Sequence, residues 1–364
     1  MKVIVTGTRG IPNIQGGVET HCEKLYPLLV SSGCDVELIR RSCYVTADNI
    51  LPQYKGVKIK DIFAPRKKSI EAIVHTFLAV CYAKRQKADI LHIHAIGPAL
   101  MTPFARLLGM KVVVTHHGAD YDRQKWGKAA KLMLKTGERW AAKYANHIIS
   151  ISNVISNSLK EKYNRTENVH LIYNGVDAPL IIENSKYIET LGLEKGKYIF
   201  TLGRFVEEKG FHNLIEAYRD SKIPKDIKLV IAGDADHETE YSTSLKKLAK
   251  ENNIILTGFI KGEPLAELFS HAALFVLPSF HEGLPISLLE AMSYSLDAVV
   301  SNIPANLAVN LPAEDYFDPH NTNELINKLE EKLSRSPHKV AYNLDNYNWE
   351  TIAEQTLEVY KKMI

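Results

Sequence analysis

Residues 274–301 read LFVLPSFHEGLPISLLEAMSYSLDAVVS, and this stretch decides the fold. Its two short apolar runs, 274–280 and 297–303, have the composition of buried strands. Between them, residues 286–295 have the apolar pattern of a helix. A strand, a helix and a second strand in this order predict two parallel strands joined by a right-handed crossover.

The same alternation continues outward in both directions. Further strands are predicted on the N-terminal side at YIFTLGRF, IKLVIAGDAD and IILTGF, each followed by a helical pattern. The first half repeats the plan, beginning with the strand 2–7 and a helix over 19–33 that ends at a glycine. We therefore predict an α/β protein of two Rossmann-like halves facing across a cleft, where ligands bind at the carboxyl ends of the strands. The regular pattern lapses between Ala178 and Lys197, so we place the domains at 1–182 and 183–346.

Composition excludes several classes of protein. Of the 364 residues, 45% are hydrophobic and 24% are charged, which is typical of a globular protein and not of a disordered chain, a collagen or a coiled coil. The four cysteines form no C-x-x-C pair, which argues against a zinc ribbon or a disulfide scaffold. The longest apolar helical stretch, 72–83, is too short to span a membrane, and the N-terminus resembles a buried strand more than a signal peptide. These features predict a cytoplasmic protein.

The net charge of +3 conceals two halves of opposite sign. Residues 1–182 carry 26 Lys and Arg against 14 Asp and Glu, a balance of +12, whereas residues 183–364 carry 19 against 28, a balance of −9. A basic half suggests an anionic partner such as a membrane surface, a phosphorylated lipid or a nucleic acid; solvated surface is the alternative. The basic residues lack interleaved aromatics, so we expect no nucleic acid.

One predicted helix could bring that basic half to a membrane. The helix starting at Ser69 is apolar in the middle and basic at both ends. Such a helix can lie on the inner face of an anionic membrane, although a core-packed helix with charged ends would look the same. The basic residues concerned are Arg66, Lys67, Lys68, Lys84, Arg85 and Lys87.

The first strand runs into a glycine-rich loop, GTRGIPNIQGG, that opens a helix. Gly7, Gly10, Gly16 and Gly17 allow the backbone to approach a ligand, and the helix N-terminus offers free N–H groups to a phosphate or a sugar hydroxyl. The spacing is not that of a dinucleotide-binding fingerprint, because Pro12 interrupts it. A flexible loop without a ligand is the alternative.

Histidines follow two further strands. His92 and His94 lie two apart, on one face of a strand, and THHGAD at 115–120 follows the next strand. Together with His116 and His117 they could be read as a metal site, but no carboxylate falls at ligand spacing beside them. We favour a hydrogen-bonding role for His117 and expect no metal.

Charged residues mark two strand-to-helix turns of the second half. Arg204 and Lys209 follow Gly203 and would make a diphosphate site beside a helix N-terminus. In 278–293, Gly283 and Leu284 would present N–H groups at the start of a helix. Glu290 could accept two hydrogen bonds from a ribose diol, and Glu282 could hold a sugar hydroxyl. Asp234-x-Asp236 could be read as a metal–nucleotide motif, but we interpret it as an acidic loop.

In this order, the glycine-rich loop, HHG, GRF-x3-KG and the Glu-x7-Glu motif HEGLPISLLE resemble the retaining glycosyltransferases of family 4, which have the GT-B fold. The resemblance covers nearly the whole chain. The opening segment also looks like that of bacterial polysaccharide-cluster transferases. In such proteins the final helix, here from about Trp349, crosses back onto the first domain, which assigns 347–364 to that role.

The resemblance implies a role for each matching position. His117, Glu282, Arg204 and Lys209 would be catalytic. The nucleotide-sugar donor would be bound by Gly16, Gly17, Gly203, Arg204, Lys209, Glu282, Gly283, Leu284, Pro285 and Glu290. The acceptor side would include Arg9, Gly10, His94, His116 and Asp120. The family pattern needs no metal or other cofactor, because fixed protein cations stabilise the leaving diphosphate.

The chain departs from that pattern after the second glutamate. Where the family often has AMSYG-x-P, this sequence reads AMSYSLDAV, with Ser295 and Asp297 in place of Gly and Pro. Because those positions shape a turn, we expect altered loop geometry with the chemistry kept.

The sequence thus predicts sugar transfer to an acceptor hydroxyl with retention of anomeric configuration, in bacterial surface polysaccharide or lipid-linked oligosaccharide synthesis. The acceptor would be a saccharide or lipid-linked. A sugar-nucleotide epimerase and a non-catalytic nucleotide-sugar-binding protein of the same architecture remain alternatives. A metal hydrolase built on the four histidines would be recognised by its loss of activity to a chelator.

Overall fold

The computed structural model describes residues 1–46, 49–66, 70–119, 121, 127–235 and 238–364. The chain forms two compact units. Unit 1 comprises Met1–Gly175 and Asn346–Ile364, and unit 2 comprises Val176–Asp345. The boundary expected after residue 182 falls a short way inside unit 2.

Unit 1 is built on an eight-stranded sheet in the order β3-β4-β2-β1-β5-β6-β7-β8. All neighbours pair in parallel except β3 and β4, which form an antiparallel edge. The central strands are buried throughout, as both faces are covered by helices. The strands are β1 (Lys2–Thr6), β2 (Asp35–Arg41), β3 (Gln53–Tyr54), β4 (Val57–Ile62), β5 (Ile90–His94), β6 (Val112–His116), β7 (His147–Ser150) and β8 (Val169–Leu171).

Helices pack on both sides of this sheet, and the last one comes from the end of the chain. Its residues Trp349, Ile352, Val359 and Tyr360 join the core formed by the first helix and β1. The helices of unit 1 are α1 (Gly17–Ser31), α2 (Glu71–Arg85), α3 (Thr102–Leu107), α4 (Lys128–Tyr144), α5 (Asn153–Tyr163) and, after those of unit 2, α13 (Trp349–Lys361).

Unit 2 contains a six-stranded parallel sheet in the order β11-β10-β9-β12-β13-β14. Its strands are β9 (Tyr198–Leu202), β10 (Lys228–Ala232), β11 (Ile255–Gly258), β12 (Leu274–Leu277), β13 (Ala298–Ser301) and β14 (Tyr316–Phe317). Its helices are α6 (Lys186–Thr190), α7 (Phe211–Asp220), α8 (Glu240–Glu251), α9 (Glu263–His271), α10 (Ile286–Ser293), α11 (Pro304–Leu307) and α12 (Thr322–Leu333).

The predicted architecture of two doubly wound α/β units is confirmed. The sequence patterns missed the short elements β3, β14, α3, α6 and α11, and two longer ones, β4 and α5. Of the two longer elements, β4 is largely exposed and alternates weakly; α5 is polar, although its start carries a signal, because the Ser152 side chain accepts from the N–H of Ile155. Among the described residues, no helix is both long and apolar enough to span a membrane.

Each sheet has one point where the strand order reverses. In unit 1, β1 lies between β2 and β5; in unit 2, β9 lies between β10 and β12. At such a point the loops leaving two neighbouring strands diverge to opposite faces of the sheet and leave a crevice at the carboxyl edge. The loops after β1 and β5, and those after β9 and β12, are therefore where the fold places ligands.

Candidate functional site

In unit 2, the two loops at the reversal point are tied together. The N–H of Phe280, after β12, donates to the carbonyl of Glu208, after β9, at 2.8 Å. Gly210 has φ 66°, and a Cβ there would lie 2.1 Å from the carbonyl oxygen of Pro278. Only glycine fits this close approach, so Gly210, which follows Lys209 directly, allows the two loops to meet.

The tie places Lys209 against Glu282. The Lys209 ammonium donates to the Glu282 carboxylate at 2.5 Å, and the Ser279 hydroxyl donates to the same oxygen at 2.7 Å. Both charged side chains are largely buried, at 17% and 10% exposure. Burial by itself would raise the pKa of Glu282, but the Lys209 charge and these hydrogen bonds hold it below its ordinary value. From the sequence, Lys209 and Glu282 had separate predicted roles; in the structure they form one ion pair.

Arg204 and Gly203 lie on the loop directly after β9, and both are half-buried. A Cβ on Gly203 would lie 3.2 Å from the Phe211 ring, a tight contact, and 3.5 Å from the Lys209 side chain, an ordinary one. Two basic residues of one loop thus lie at the reversal point, and Lys209 pairs there with a carboxylate from the other loop.

The segment leading to the second glutamate differs from expectation at the helix start. The helix α10 begins at Ile286 with Pro285 as its N-cap, so Gly283 and Leu284 precede the helix and do not form its first turn. Leu284 and Pro285 are buried. Glu290 lies in α10 and is half-buried.

The two departures from the family pattern have distinct structural roles. Ser295 has φ 58°, the left-handed conformation that glycine adopts without strain, so the turn is kept despite the substitution. Asp297 is buried, and its carboxylate accepts from Lys332 at 2.6 Å. Lys332 also donates to the buried Asp315 at 2.5 Å. This triad lies in the body of unit 2 and involves none of the predicted site residues.

The acidic loop after β10 borders the loop after β9 through its backbone, because the N–H of Phe205 donates to the carbonyl of Asp234 at 3.0 Å. Asp234 pairs with Lys246 at 2.9 Å, and both side chains are more than a third exposed. Asp236 lies outside the described residues.

In unit 1, the glycine-rich loop folds over the start of α1. One Glu19 oxygen accepts from the Thr8 hydroxyl at 3.1 Å and from the N–H of Arg9 at 2.9 Å. The Arg9 guanidinium donates to the carbonyl of Gln15 at 3.0 Å. Gly16 has φ 150°, and a Cβ there would lie 2.0 Å from Glu19, which explains the glycine.

Gly10 and Gly17 of the same loop differ in their surroundings. Gly10 is buried, and a Cβ on it would collide with the Arg40 side chain, so the structure places it in packing. Gly17 is exposed at the first position of α1, where a Cβ would meet no atom within 4 Å.

The histidines of unit 1 form a buried cluster. His94 Nδ1 lies 2.8 Å from His117 Nε2, and the His21 ring lies 5.1 Å from that of His117. One ring nitrogen from each lies within 4.8 Å of the others, a set that could hold a metal ion. His21 donates from Nδ1 to the Asn174 side-chain carbonyl at 2.9 Å, and Trp349 packs against its ring edge.

Burial keeps these imidazoles neutral. It lowers the pKa of His21 to about 4, and it lowers the pKa of His94 and His117 well below the ordinary value, with a further contribution from neighbouring histidines. The cluster therefore offers hydrogen bonds and carries no charge near neutral pH. The sequence patterns missed His21, Asn174 and Trp349 as members of this cluster, since the three lie in separate parts of the chain; the local signals were the HxH spacing on β5 and the HHG motif after β6.

His116 lies on the other side of its strand. Its Nε2 contacts Glu138 at 2.9 Å, and both residues are buried. Burial by itself would raise the pKa of Glu138, but His116 and the hydroxyls of Tyr121 and Tyr163 lower it. The structure thus separates His116 from His117. Asp120, the last acceptor-side candidate, lies outside the described residues.

The fold and these two sites define a class of protein with two doubly wound α/β units. Unit 2 carries two basic residues on the loop after its reversal strand, and unit 1 carries a buried cluster of neutral histidines. Two family profiles match the chain, one in each half. The profile described as glycosyl transferases group 1 matches residues 184–351, and that described as glycosyltransferase family 4 matches residues 15–179.

Individual proteins agree with the profiles. The UDP-Gal:alpha-D-GlcNAc-diphosphoundecaprenol alpha-1,3-galactosyltransferase of Escherichia coli is 28% identical, over 83% of this chain and 79% of that protein. The solved sucrose-phosphate synthase from Thermosynechococcus elongatus has a TM-score of 0.82 at 20% identity, covering 99% and 98% of the two chains. HepE of Anabaena, solved with UDP and glucose, has a TM-score of 0.78 at 16% identity, covering 99% of both.

The chain belongs to the group 1, family 4 glycosyltransferases and has the GT-B fold.

Proposed function

We propose that this glycosyltransferase moves a sugar from a nucleotide-diphosphate donor to an acceptor hydroxyl with retention of anomeric configuration and without a metal. The observation that carries the proposal is the buried Lys209–Glu282 pair at the strand-order reversal of unit 2. A lysine held there beside Arg204 is suited to the charge that develops on a leaving diphosphate, and fixed charges of this kind are usually the largest catalytic term.

The carboxylates have binding roles in this proposal. Glu282 is engaged by Lys209 and Ser279, which favours accepting a hydrogen bond from a donor hydroxyl over acting as a nucleophile. Glu290 accepts from the ribose hydroxyls. The leaving phosphate then takes the proton of the acceptor hydroxyl on the same face of the sugar, which retains the configuration. Gly16 and Gly17 contact the donor, and Arg9, His94 and Asp120 belong to the acceptor side. Gly10, packed against Arg40, and His116, buried against Glu138, take no part in this proposal.

A binding panel tests the donor site. Ligand bound to the native state raises the melting temperature by mass action. We expect one family among UDP, GDP, dTDP and CMP, with their sugars, to raise the melting temperature of the wild type. The shift should be lost in Glu290→Ala and kept in Glu251→Ala, a control on the exposed end of α8. UDP is the first choice, because the E. coli relative is named for UDP-Gal and HepE was solved with UDP.

Product analysis tests the chemistry. The anomeric coupling constant of the product separates retention from inversion, and an assay in excess chelator tests metal independence. Conversion of the donor sugar without an acceptor would instead support an epimerase. Donor binding without turnover on any lipid-linked or saccharide acceptor would support a non-catalytic binding protein.

We further propose that the acceptor is lipid-linked or a growing saccharide of bacterial polysaccharide synthesis, met by a cytoplasmic enzyme peripheral to the inner membrane face. The E. coli relative is named for a diphosphoundecaprenol-linked acceptor. The basic half of the chain is the second support.

The exposed face of α4 suits an anionic membrane better than α2 does. Along α4, exposed side chains follow each other at helical spacing with Leu132, 66% exposed, among them. In α2, by contrast, Glu71, His75, Ala79 and Val80 are buried, and its exposed residues are Phe77, 43% exposed, and the basic residues at its C-terminal end. Lys67 and Lys68 lie outside the described residues. The exposed basic residues of α4 are Lys128, Lys135, Arg139 and Lys143.

Vesicle flotation compares the two helices directly. Each basic residue near an anionic surface is worth ~1 kcal/mol. The double variant Lys135→Glu/Arg139→Glu should therefore lose binding to phosphatidylglycerol vesicles by about 30-fold or more, and Lys84→Glu/Arg85→Glu on α2 should lose less. Absence of wild-type binding at low salt would count against the membrane partner altogether.

A further inference from the structure

A chain of hydrogen-bonding groups runs inward from His117 to the last helix of the protein. His94 Nδ1 lies 2.8 Å from His117 Nε2, and the other nitrogen of His94 contacts the Tyr26 hydroxyl. Tyr26 also faces His92 Nδ1 at 3.0 Å, and Tyr360 of α13 faces the same atom at 2.6 Å. All of these residues except His117, which is half-buried, are buried at 0% exposure.

The 2.8 Å distance between His94 Nδ1 and His117 Nε2 is typical of a hydrogen bond. Two nitrogens bound to one tetrahedral zinc at 2.0–2.1 Å would lie about 3.3 Å apart. The geometry therefore favours a proton between the two rings over a shared metal ion.

In a row of hydrogen-bonded neutral imidazoles, the tautomer of one ring determines the tautomer of the next. Each ring has one donor and one acceptor nitrogen, so the state of one end of His94 determines the other. If Tyr26 donates to His94 Nε2, then His94 donates from Nδ1 and His117 must accept at Nε2. If His94 instead donates to Tyr26, His117 must donate from Nε2. The tautomer of His117 thus depends on where the Tyr26 proton points.

The two phenols compete for His92. Tyr360 is the nearer, so the proton on that side lies between Tyr360 and His92 Nδ1, whichever atom carries it. The Tyr26 hydroxyl also hydrogen-bonds to that of Tyr360, so its proton has two acceptors left, the Tyr360 oxygen and His94 Nε2. We place it on the His94 side, where the contact is short. The far nitrogen of His92, Nε2, is occupied by the Thr115 hydroxyl at 2.6 Å.

We propose that Tyr360 and Tyr26 are positioning residues that hold His117 in the tautomer protonated at Nδ1, acting through His92 and His94. His117 would then present an N–H donor, not a base, to its ligand. This assignment of donor chemistry rests on the proposed function, in which His117 faces the reacting sugar; the tautomer itself does not depend on it.

Nitrogen NMR on protein labelled in histidine tests the proposal without an activity assay. The ring resonances of His117 are assigned by their loss in His117→Asn. In the wild type we expect the His117 proton on Nδ1. In Tyr360→Phe the Tyr26 hydroxyl turns to His92, His94 donates to Tyr26, and the His117 proton should move to Nε2. In Tyr26→Phe, His94 loses its donor, and the single tautomer should give way to a mixture.

Two controls separate this effect from general loosening. Tyr163→Phe removes a phenol bonded to Glu138 at 2.7 Å in the same unit and should leave the His117 resonances unchanged. The His147–His170 pair has the same kind of contact, Nδ1 to Nε2 at 2.9 Å, and serves as an internal reference that no variant should move.

Three results would overturn the proposal: a wild-type proton on Nε2, an unchanged Nδ1–H in both phenylalanine variants, or a stoichiometric metal ion in the purified protein. A fall in melting temperature with no tautomer change would mean a packing role only. Once a donor is known, Tyr360→Phe should lower kcat about tenfold or more with KM little changed, since a wrong tautomer impairs the chemical step. Failure to find any donor would refute the proposed function and leave the tautomer result standing.

Discussion

The reversal points of the two sheets carry polar groups of opposite kind. In unit 1 the edge is lined by histidines and tyrosines that burial keeps neutral. In unit 2 the same position holds Lys209 and Glu282, each charged and stabilised by the other. The same architecture thus buries a polar site in two ways: unit 1 keeps the groups uncharged, and unit 2 pairs the charges.

Acid should have the largest effect, because it destabilises unit 1 before unit 2. The pKa values of His21, His75 and His92 are lowered to about 4, 3 and 3, mainly by burial. Since the unfolded chain takes up these protons first, their stabilisation is complete above pH 6.5 and is lost as the pH falls towards 4. At up to ~1.4 kcal/mol per pH unit for each group, unit 1 should lose about 5 kcal/mol or more by pH 4.

The three tryptophans allow the two units to be followed separately. Trp140 and Trp349 belong to unit 1, and Trp126, outside the described residues, falls within the sequence range of that unit; intrinsic fluorescence therefore reports unit 1, and far-ultraviolet circular dichroism reports both units. Glu282, whose pKa is lowered, stabilises unit 2 above about pH 4.5 and loses its effect only below it. Fluorescence should therefore change at higher pH than the later part of the dichroism signal; a single coincident transition would contradict the assignment.

Removing a buried cation should test charge pairing in unit 2. Lys332→Met leaves Asp297 and Asp315 buried without their shared ammonium, and we expect a loss of ~3–5 kcal/mol in the free energy of unfolding. Lys328→Met, one turn earlier on the same helix, removes a half-buried lysine whose ammonium donates only to the Glu314 carbonyl in an exposed hydrogen bond, and it should change the free energy of unfolding by less than ~0.5 kcal/mol. Denaturant unfolding measures both; equal effects would mean that the triad contributes nothing.

The site cation should matter for turnover. Lys209→Met removes one electrostatic contact to the leaving diphosphate and leaves Glu282 unpaired, and we expect kcat/KM to fall ~10²–10³-fold. Steady-state kinetics with the donor found in the binding panel measures this, and Lys247→Met, 78% exposed, is the control. Turnover within a factor of a few of the wild type would remove Lys209 from the mechanism.

The smallest effect concerns the turn at Ser295. Because its φ of 58° strains any residue with a Cβ, Ser295→Gly should stabilise the protein by ~0.5 kcal/mol, after the greater entropy of glycine in the unfolded chain is subtracted. Ser293→Gly, at the end of α10, should destabilise it, since that backbone is helical. Thermal unfolding distinguishes the two; a destabilised Ser295→Gly would show that the serine side chain itself is needed.

The sequence predicted more of unit 2 than of unit 1. Lys209, Glu282 and Glu290 stand at local spacings next to recognisable strands, so a pattern along the chain is enough to find them. The helix start at Ile286 was predicted, but Gly283 and Leu284 were expected to present N–H groups at that start, and they remain outside the helix. The partnership of Lys209 with Glu282 joins positions far apart in sequence, and no local pattern contains it.

By itself, the sequence determined the alternation of strands and helices, the doubly wound class of both units and the charged loops, since hydrophobic period and glycine spacing act over short stretches. Only the tertiary structure decided which polar groups meet. The strand order brings β1, β5 and β6 side by side, and the last helix returns with Tyr360 to complete the buried histidine chain. Burial then decides which of those groups can hold a charge, and burial is a property of the folded chain alone.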